Sequence, residues 1–165
     1  MSGSKYLSIY LNDHLGGAMA GSELAKRTAG SNEDDEFGAP LTRIAAEIEA
    51  DKTSLETIMN ELGIPKNPLK EGAGWVAEKA GRLKLNGRVL GYSPLSRVIE
   101  LDGLVAGVSA KLAMWKVLHR LSATDERLGS ETLETLIHRA EDQRGRLEGL
   151  RLRAADIAFT QQANV

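Results

Sequence analysis

Residues 66–93 read KNPLKEGAGWVAEKAGRLKLNGRVLGYS, and the length of this stretch decides how the rest of the chain is connected. Pro68 can begin a short helix over residues 69–83, and Asn86-Gly87 is typical of a turn. Helices of ~25 residues make a bundle roughly 37 Å tall, and a stretch that is half helical and half extended can cover that height. A simple up-down-up-down bundle would not need a connection of this length. We therefore predict a long crossover connection that carries a short extra helix.

Apolar residues recur at steps of three and four on both sides of this stretch, which indicates four long amphipathic helices. We predict them at about residues 4–29, 41–62, 94–121 and 130–160. Short loops join the first helix to the second and the third to the fourth, so each pair should be antiparallel. The predicted fold class is all-α, a four-helix bundle in a single domain over residues 1–165.

The third and first predicted helices each carry an unusual pattern. Ser93-Pro94 is a good N-cap and first-turn pair for the third helix. Its apolar residues cover well over half of its circumference, so we expect it to be the most buried helix. In the first helix, Gly16, Gly17 and Gly21 predict a face where another helix packs closely. The alternative is that these glycines leave room for a ligand.

Composition narrows the possible functions. The net charge of −2 argues against a nucleic-acid-binding domain, which is normally basic. The chain has no cysteine, so disulfides, thiolate catalysis and cysteine-based metal sites are excluded. No signal peptide and no apolar run of ~18–20 residues is present, and the expected location is the cytoplasm.

Charge is distributed unevenly along the chain. Residues 66–97 carry a local charge of +5, whereas residues 33–61 carry −7. We expect these two stretches to lie against each other, the alternative being an anionic ligand or membrane surface for the basic one. The crossover is also the predicted interaction surface, through Trp75, Lys79, Arg82, Lys84 and Arg88.

The order of helix pair, long crossover and helix pair resembles the ferritin-like superfamily over nearly the whole chain. It is also similar to families of small helical bacterial proteins with this layout, a likeness that carries no activity. The superfamily places a Glu-x-x-His motif on each of two helices. Here Ala50 stands three residues after Glu47, and Ile137 stands three residues after Glu134. The resemblance therefore implies the fold, and we do not carry over di-iron chemistry.

In the crossover topology a polar layer is expected at one height of the bundle. Its candidate metal ligands or acid–base groups are His14, Asp51, His138 and Glu141. Lys52 and Lys111 fall at the same height, and their positive charge opposes metal binding. We therefore favour an ion-pair layer, with no catalytic residue and no metal assigned.

Three functions follow as hypotheses. The favoured one is a non-enzymatic helical bundle that acts through protein–protein contacts, as a homo-oligomer or with another protein. The first alternative is a divergent ferritin-like metalloprotein or oxidase that uses iron or manganese in the polar layer. The second is a protein that associates with anionic membranes through the basic amphipathic crossover.

Overall fold

Four helices make up the part of the chain that the computed structural model describes, which is residues 2–67 and 92–160. They are α1 (Ser2–Gly30), α2 (Gly38–Glu61), α3 (Pro94–Leu121) and α4 (Ser130–Thr160). These two ranges contain no strand. The prediction of an all-α protein with four long helices is confirmed. The short helix predicted at residues 69–83 lies outside the described residues.

The beginnings of α2 and α3 show how local sequence sets the helix ends. The Ser93 hydroxyl accepts a hydrogen bond of 3.1 Å from the Ser96 N–H, and Pro94 occupies the first turn of α3 as predicted. Helix α2 begins at Gly38, three residues earlier than predicted. A Cβ atom at Gly38 would lie 2.5 Å from the Asn32 carbonyl oxygen, so only glycine fits where the α1–α2 loop backbone passes.

The apolar core consists of two clusters, and all four helices contribute to each of them. The first core cluster joins the N-terminal halves of α1 and α4 to the C-terminal halves of α2 and α3, and includes Leu11, Met59, Trp115 and Leu136. The second core cluster joins the opposite halves, and includes Ala25, Ile44, Leu101 and Ala154. Helices α1 and α4 therefore run in one direction, and α2 and α3 run in the other.

This up-down-down-up order requires the chain to cross the bundle between α2 and α3. Both described ends of the connection are attached to α1 or to the loop that follows it. The Asn12 side chain donates to the Pro65 carbonyl at 3.1 Å and accepts from the Asn67 N–H at 2.5 Å. At the other end of the bundle the Asn32 amide donates to the Tyr92 hydroxyl at 2.8 Å. The crossover connection predicted from its length is thus present.

The expected pairing of the basic and acidic stretches is found at the described ends of the crossover. The Lys66 ammonium lies 3.5 Å from the Glu56 carboxylate, and the Arg97 guanidinium contacts Asp35. The remaining basic residues of that stretch lie largely outside the described residues.

Two predictions about helix packing are wrong. Helix α3 is not the most buried, because α2 buries as many residues in a shorter helix. Part of the apolar excess of α3 instead faces outward, at Leu95 and Val117. The second error concerns two of the three glycines of α1. An added Cβ at Gly17 or Gly21 would meet no described atom within 4 Å, so these two glycines do not mark close helix packing, whereas Gly16 is buried.

Candidate functional site

A buried polar layer separates the two core clusters, and Asp51 is at its centre. Asp51 follows Ile48 on the inward stripe of α2 and is only 1% exposed. Its Oδ1 atom accepts from Arg139 Nε at 2.7 Å, and its Oδ2 atom accepts from Gln143 Nε2 at 3.0 Å. The Lys111 ammonium also donates to Oδ2 and reaches Gln143 Oε1 at 2.6 Å. Side chains from α2, α3 and α4 thus form one hydrogen-bonded network.

The electrostatics of the layer follow from its burial. Loss of water lowers the pKa of Lys111, and the neighbouring Asp51 carboxylate opposes that shift. Both carboxylate oxygens of Asp51 are already occupied by cationic or amide donors. A carboxylate held in this way has no free lone pair directed at a cavity. The layer can therefore fix the relative positions of three helices.

The structure does not bring the four candidate ligands together. His138 lies on the surface with its side chain 81% exposed, and Glu141 pairs with Lys116 at 3.0 Å. His14 is half-buried and packs edge-on against the Tyr10 ring, with the ring centroids 4.5 Å apart. Burial lowers the pKa of His14, while the nearby Asp13 charge acts in the opposite direction. Only Asp51 lies in the buried layer.

Of the two expected lysines, one lies in the layer and one does not. Lys111 bonds to Asp51, as the ion-pair interpretation requires. Lys52 pairs instead with Glu49 at 2.5 Å, nearer the surface of α2. Within residues 2–67 and 92–160, no group of three or more histidine and acidic side chains could hold a metal ion.

Sequence reasoning missed two members of the layer, Arg139 and Gln143. Gln143 had a usable signal, because it falls on the same stripe of α4 as Leu136, Ala140 and Leu147, where the period calls for an apolar residue. Arg139 had none, since it lies next to that stripe and reaches Asp51 only through the length of its side chain. A polar residue at a position that should be apolar thus predicts a member of the layer. A long polar side chain beside the apolar stripe gives no such signal in the sequence.

A second polar network joins the start of α3 to the α1–α2 loop. Glu100 is buried and accepts hydrogen bonds from Arg27 Nε at 3.1 Å and from the Tyr92 hydroxyl at 2.9 Å. Burial raises the pKa of Tyr92 to about 12, a shift that the neighbouring Glu100 charge reinforces. This network is also closed within the chain and fixes the end of the bundle where the crossover arrives.

The predicted interaction surface of Trp75, Lys79, Arg82, Lys84 and Arg88 lies outside the described residues. The described residues show a different exposed surface, which we call the outer α3 face. At ~100° per residue its members fall within an arc of about 60°. They are Leu95, Ile99, Ala106, Ala110, Ala113 and Val117.

The outer α3 face is apolar along the whole helix. Leu95 is 49% exposed, Val117 is 43% exposed, and the three alanines between them are exposed as well. Charged residues lie only beside the arc, at Asp102, Lys116 and Arg120. By contrast, most of the exposed positions of α4 are polar or charged, although Leu152 and Phe159 near its end are exposed as well. An apolar stripe of this length on a surface helix is typical of a contact face.

Two open grooves lie on the described surface. The larger, of about 400 Å³, lies between the end of α2 and the start of α4, and its lining includes Thr57, Glu126 and Arg127. The Arg127 guanidinium is already bonded to Asp125 and to the Leu62 carbonyl, so it does not point a free charge into the groove. The smaller groove, about 360 Å³, lies above Gly145 and Gly149 of α4.

None of the helices in the described ranges is both long and apolar enough to cross a membrane. Comparison of the chain with protein-family models, with curated proteins and with solved structures found no match.

Proposed function

We propose that this protein is a non-enzymatic helical bundle that acts through protein–protein contact, with the outer α3 face as its contact surface. The observation that carries this proposal is the apolar, charge-free arc from Leu95 to Val117 on a helix whose other side forms the core. Isolated apolar residues on a surface are ordinary, but a continuous stripe along one helix is a feature of interaction sites.

The buried polar layer supports a non-enzymatic role. Asp51, Lys111, Arg139 and Gln143 satisfy one another's hydrogen bonds. General acid–base chemistry needs a titratable group that can reach a substrate in a cleft. Neither described groove borders this layer, since the lining residues of both grooves exclude all four of its members.

We also propose that the fold is ferritin-like in its helix order. The up-down-down-up path and the crossover between α2 and α3 support this classification. The extra helix at residues 69–83 remains a prediction of the sequence, as does a cytoplasmic location. In this proposal the ferritin-like helix order serves as a scaffold. Its ion-pair layer lies at the level where the di-iron proteins of that superfamily place carboxylate and histidine ligands.

Site-specific photocrosslinking in cells tests the contact surface. A photoreactive amino acid at Ala110 should give a covalent adduct of defined mass with another polypeptide, because Ala110 lies in the middle of the outer α3 face. The matched control places the same amino acid at Thr135, an exposed position on α4 next to Glu131 and Glu134. Adducts at Ala110 but not at Thr135 support the proposal. No adduct at Ala110, or equal adducts at both positions, contradicts it.

A further inference from the structure

We infer that the outer α3 face binds a second copy of this chain, with the two α3 helices antiparallel about a twofold axis at the level of Ala110. This inference rests on the proposed function and names its partner. Three features of α3 carry it, which are the small residues at its centre, the charges beside the arc and the larger apolar side chains at its ends.

The middle of the outer α3 face allows two helices to approach closely. Ala106, Ala110 and Ala113 are exposed alanines, and Gly107 beside them is exposed with no described atom within 4 Å of an added Cβ. Helix axes that pack at the short end of the usual 8–10 Å range need such small side chains at the crossing point. A twofold axis that passes through this region brings the same small residues together from both copies.

The charges beside the arc match an antiparallel pair. Asp102 and Arg120 are separated by about five helical turns, so they project from the same side of α3. The point midway between them lies next to Ala110. A twofold axis at that level places Asp102 of one copy beside Arg120 of the other, and it does so twice. In a parallel pair, the twofold axis would place the charged sides of the two copies on opposite sides of the contact, so neither ion pair could form.

Both charged groups are available for this contact. The Asp102 side chain is 55% exposed, and its only described ion pair is a surface contact of 3.3 Å with Arg151. An exposed pair of this kind contributes little, so Asp102 can turn toward a second copy. Arg120 is exposed and makes no ion pair with any described residue. Lys116, on the same side, is already paired with Glu141.

The ends of the face add apolar contact area. The two large exposed apolar side chains of α3 are Leu95 at its start and Val117 near its end. In the antiparallel pair, Leu95 of one copy extends past Val117 of the other toward the end of the bundle where α1 begins. Tyr6 and Ile9 are exposed there, at 68% and 40%. These exposed side chains are apolar surface at the end of the bundle that Leu95 of the second copy approaches.

Single-cysteine crosslinking tests the arrangement directly, because the natural chain has no cysteine. Ala110→Cys should form an intermolecular disulfide on mild oxidation, since the twofold axis brings residue 110 of both copies together. Val117→Cys is the control. In the antiparallel pair the two residues 117 lie roughly 21 Å apart at ~1.5 Å per residue, so it should stay monomeric on a non-reducing gel. Efficient crosslinking of both variants would indicate a parallel pair and overturn the inference.

A charge exchange gives the second test, measured as a dissociation constant by sedimentation equilibrium at low salt. Asp102→Arg and Arg120→Asp should each weaken the dimer about tenfold, since each variant loses two ion pairs and creates repulsion. The double variant should recover to within about threefold of wild type. Asp102 and Arg120 are too far apart within one copy to pair, so recovery can come only from contact between copies. Melting curves confirm that each variant folds.

Two outcomes would overturn the inference, and the photocrosslinking experiment then shows whether the proposed function fails with it. A wild-type chain that remains monomeric at about 100 µM and low salt excludes the second copy as occupant, as does a double variant no better than the singles. If photocrosslinking at Ala110 then yields an adduct with a different protein, the contact face stands and only the identity of its partner is wrong. If it yields no adduct, both proposals fail.

Discussion

The buried polar layer and the outer α3 face lie at the same height of the bundle, on different sides of one helix. Lys111 extends inward from α3 to Asp51, while Ala110, one residue earlier, lies on the exposed arc. Polar groups are buried and fully used in one region, whereas apolar surface is exposed in the other. A polar residue is thus not by itself a sign of function in this protein, and an apolar residue is not by itself a sign of the core.

The largest expected effect comes from breaking the polar layer. Asp51→Ala removes the buried carboxylate, leaves the partly buried Lys111 and Arg139 without their counter-charge, and should lower the free energy of unfolding by about 3–5 kcal/mol. Urea denaturation measures the loss. Glu134→Ala is the control, because that carboxylate pairs with His119 at 3.2 Å on the surface and its removal should cost under ~1 kcal/mol. Equal losses in the two variants would mean that the layer is not a buried network.

A second pair of variants compares the inner and outer sides of α3. Leu112 is 4% exposed in the first core cluster, and Leu112→Ala should cost about 2–5 kcal/mol through loss of packing and a residual cavity. Val117→Ala removes an apolar side chain of similar kind from the outer face and should cost under ~1 kcal/mol in the monomer. Denaturant unfolding in dilute solution measures both. A larger loss for Val117→Ala would show that we have assigned the wrong side of α3 to the core.

The network around Glu100 makes the stability of the protein depend on pH through Tyr92. The pKa of Tyr92 rises from 10.0 to about 12, so the folded state retains the phenol proton after the unfolded state has lost it. Tyr92 therefore contributes stability that is fully present below pH 10 and is lost as the pH rises from 10 through 12. Because the residue is 39% exposed, we expect roughly 1 kcal/mol after screening by solvent.

Comparison of wild type with Tyr92→Phe measures this contribution. Their difference in unfolding free energy should shrink over pH 10–12, and the phenolate absorbance of Tyr92 in the folded protein should appear only near pH 12. A phenolate signal for Tyr92 that develops around pH 10 would show that the hydroxyl is neither buried nor bonded to Glu100.

The smallest expected effect is that of added metal. Because Asp51 is already bonded to Lys111 and Arg139, Fe²⁺, Mn²⁺ or Zn²⁺ should shift the melting temperature by less than about 1 °C. A metal that binds the native state stabilises it by ~2.7 kcal/mol at a hundredfold excess over its dissociation constant. A clear rise in wild type that disappears in the variant carrying both His14→Ala and His138→Ala would restore the metalloprotein hypothesis.

The sequence was sufficient for features that depend on local chemistry or on chain length. Ser93 and Pro94 specify the start of α3 because one accepts a backbone hydrogen bond and the other needs no donor. The crossover follows from the length of the stretch that begins at Lys66. The presence of Lys111 in one layer with Asp51 also follows, since both residues fall at the same height of the bundle.

Features that depend on small differences in helix phase could not be predicted in the same way. His138 is one residue from Arg139, yet one side chain is on the surface and the other reaches Asp51. An error of ~100° per residue is enough to exchange them. The apolar excess of α3 was misassigned for a related reason, because composition does not distinguish a side chain that faces the core from one that faces a second surface.

The distribution of the core over both helix pairs has a consequence for how the chain folds. Each core cluster takes residues from α1 and α2 and also from α3 and α4, so neither pair has a hydrophobic core of its own. Each pair completes the burial of its apolar residues only when the other pair packs on it. The crossover keeps the two pairs on one chain, so their meeting is intramolecular and does not depend on the protein concentration. Asn12 and Asn32 bind the two ends of the crossover near opposite ends of α1, and these contacts align the two helix pairs. Cooperative folding of the bundle therefore depends on the crossover, of which only the ends take part in the described contacts.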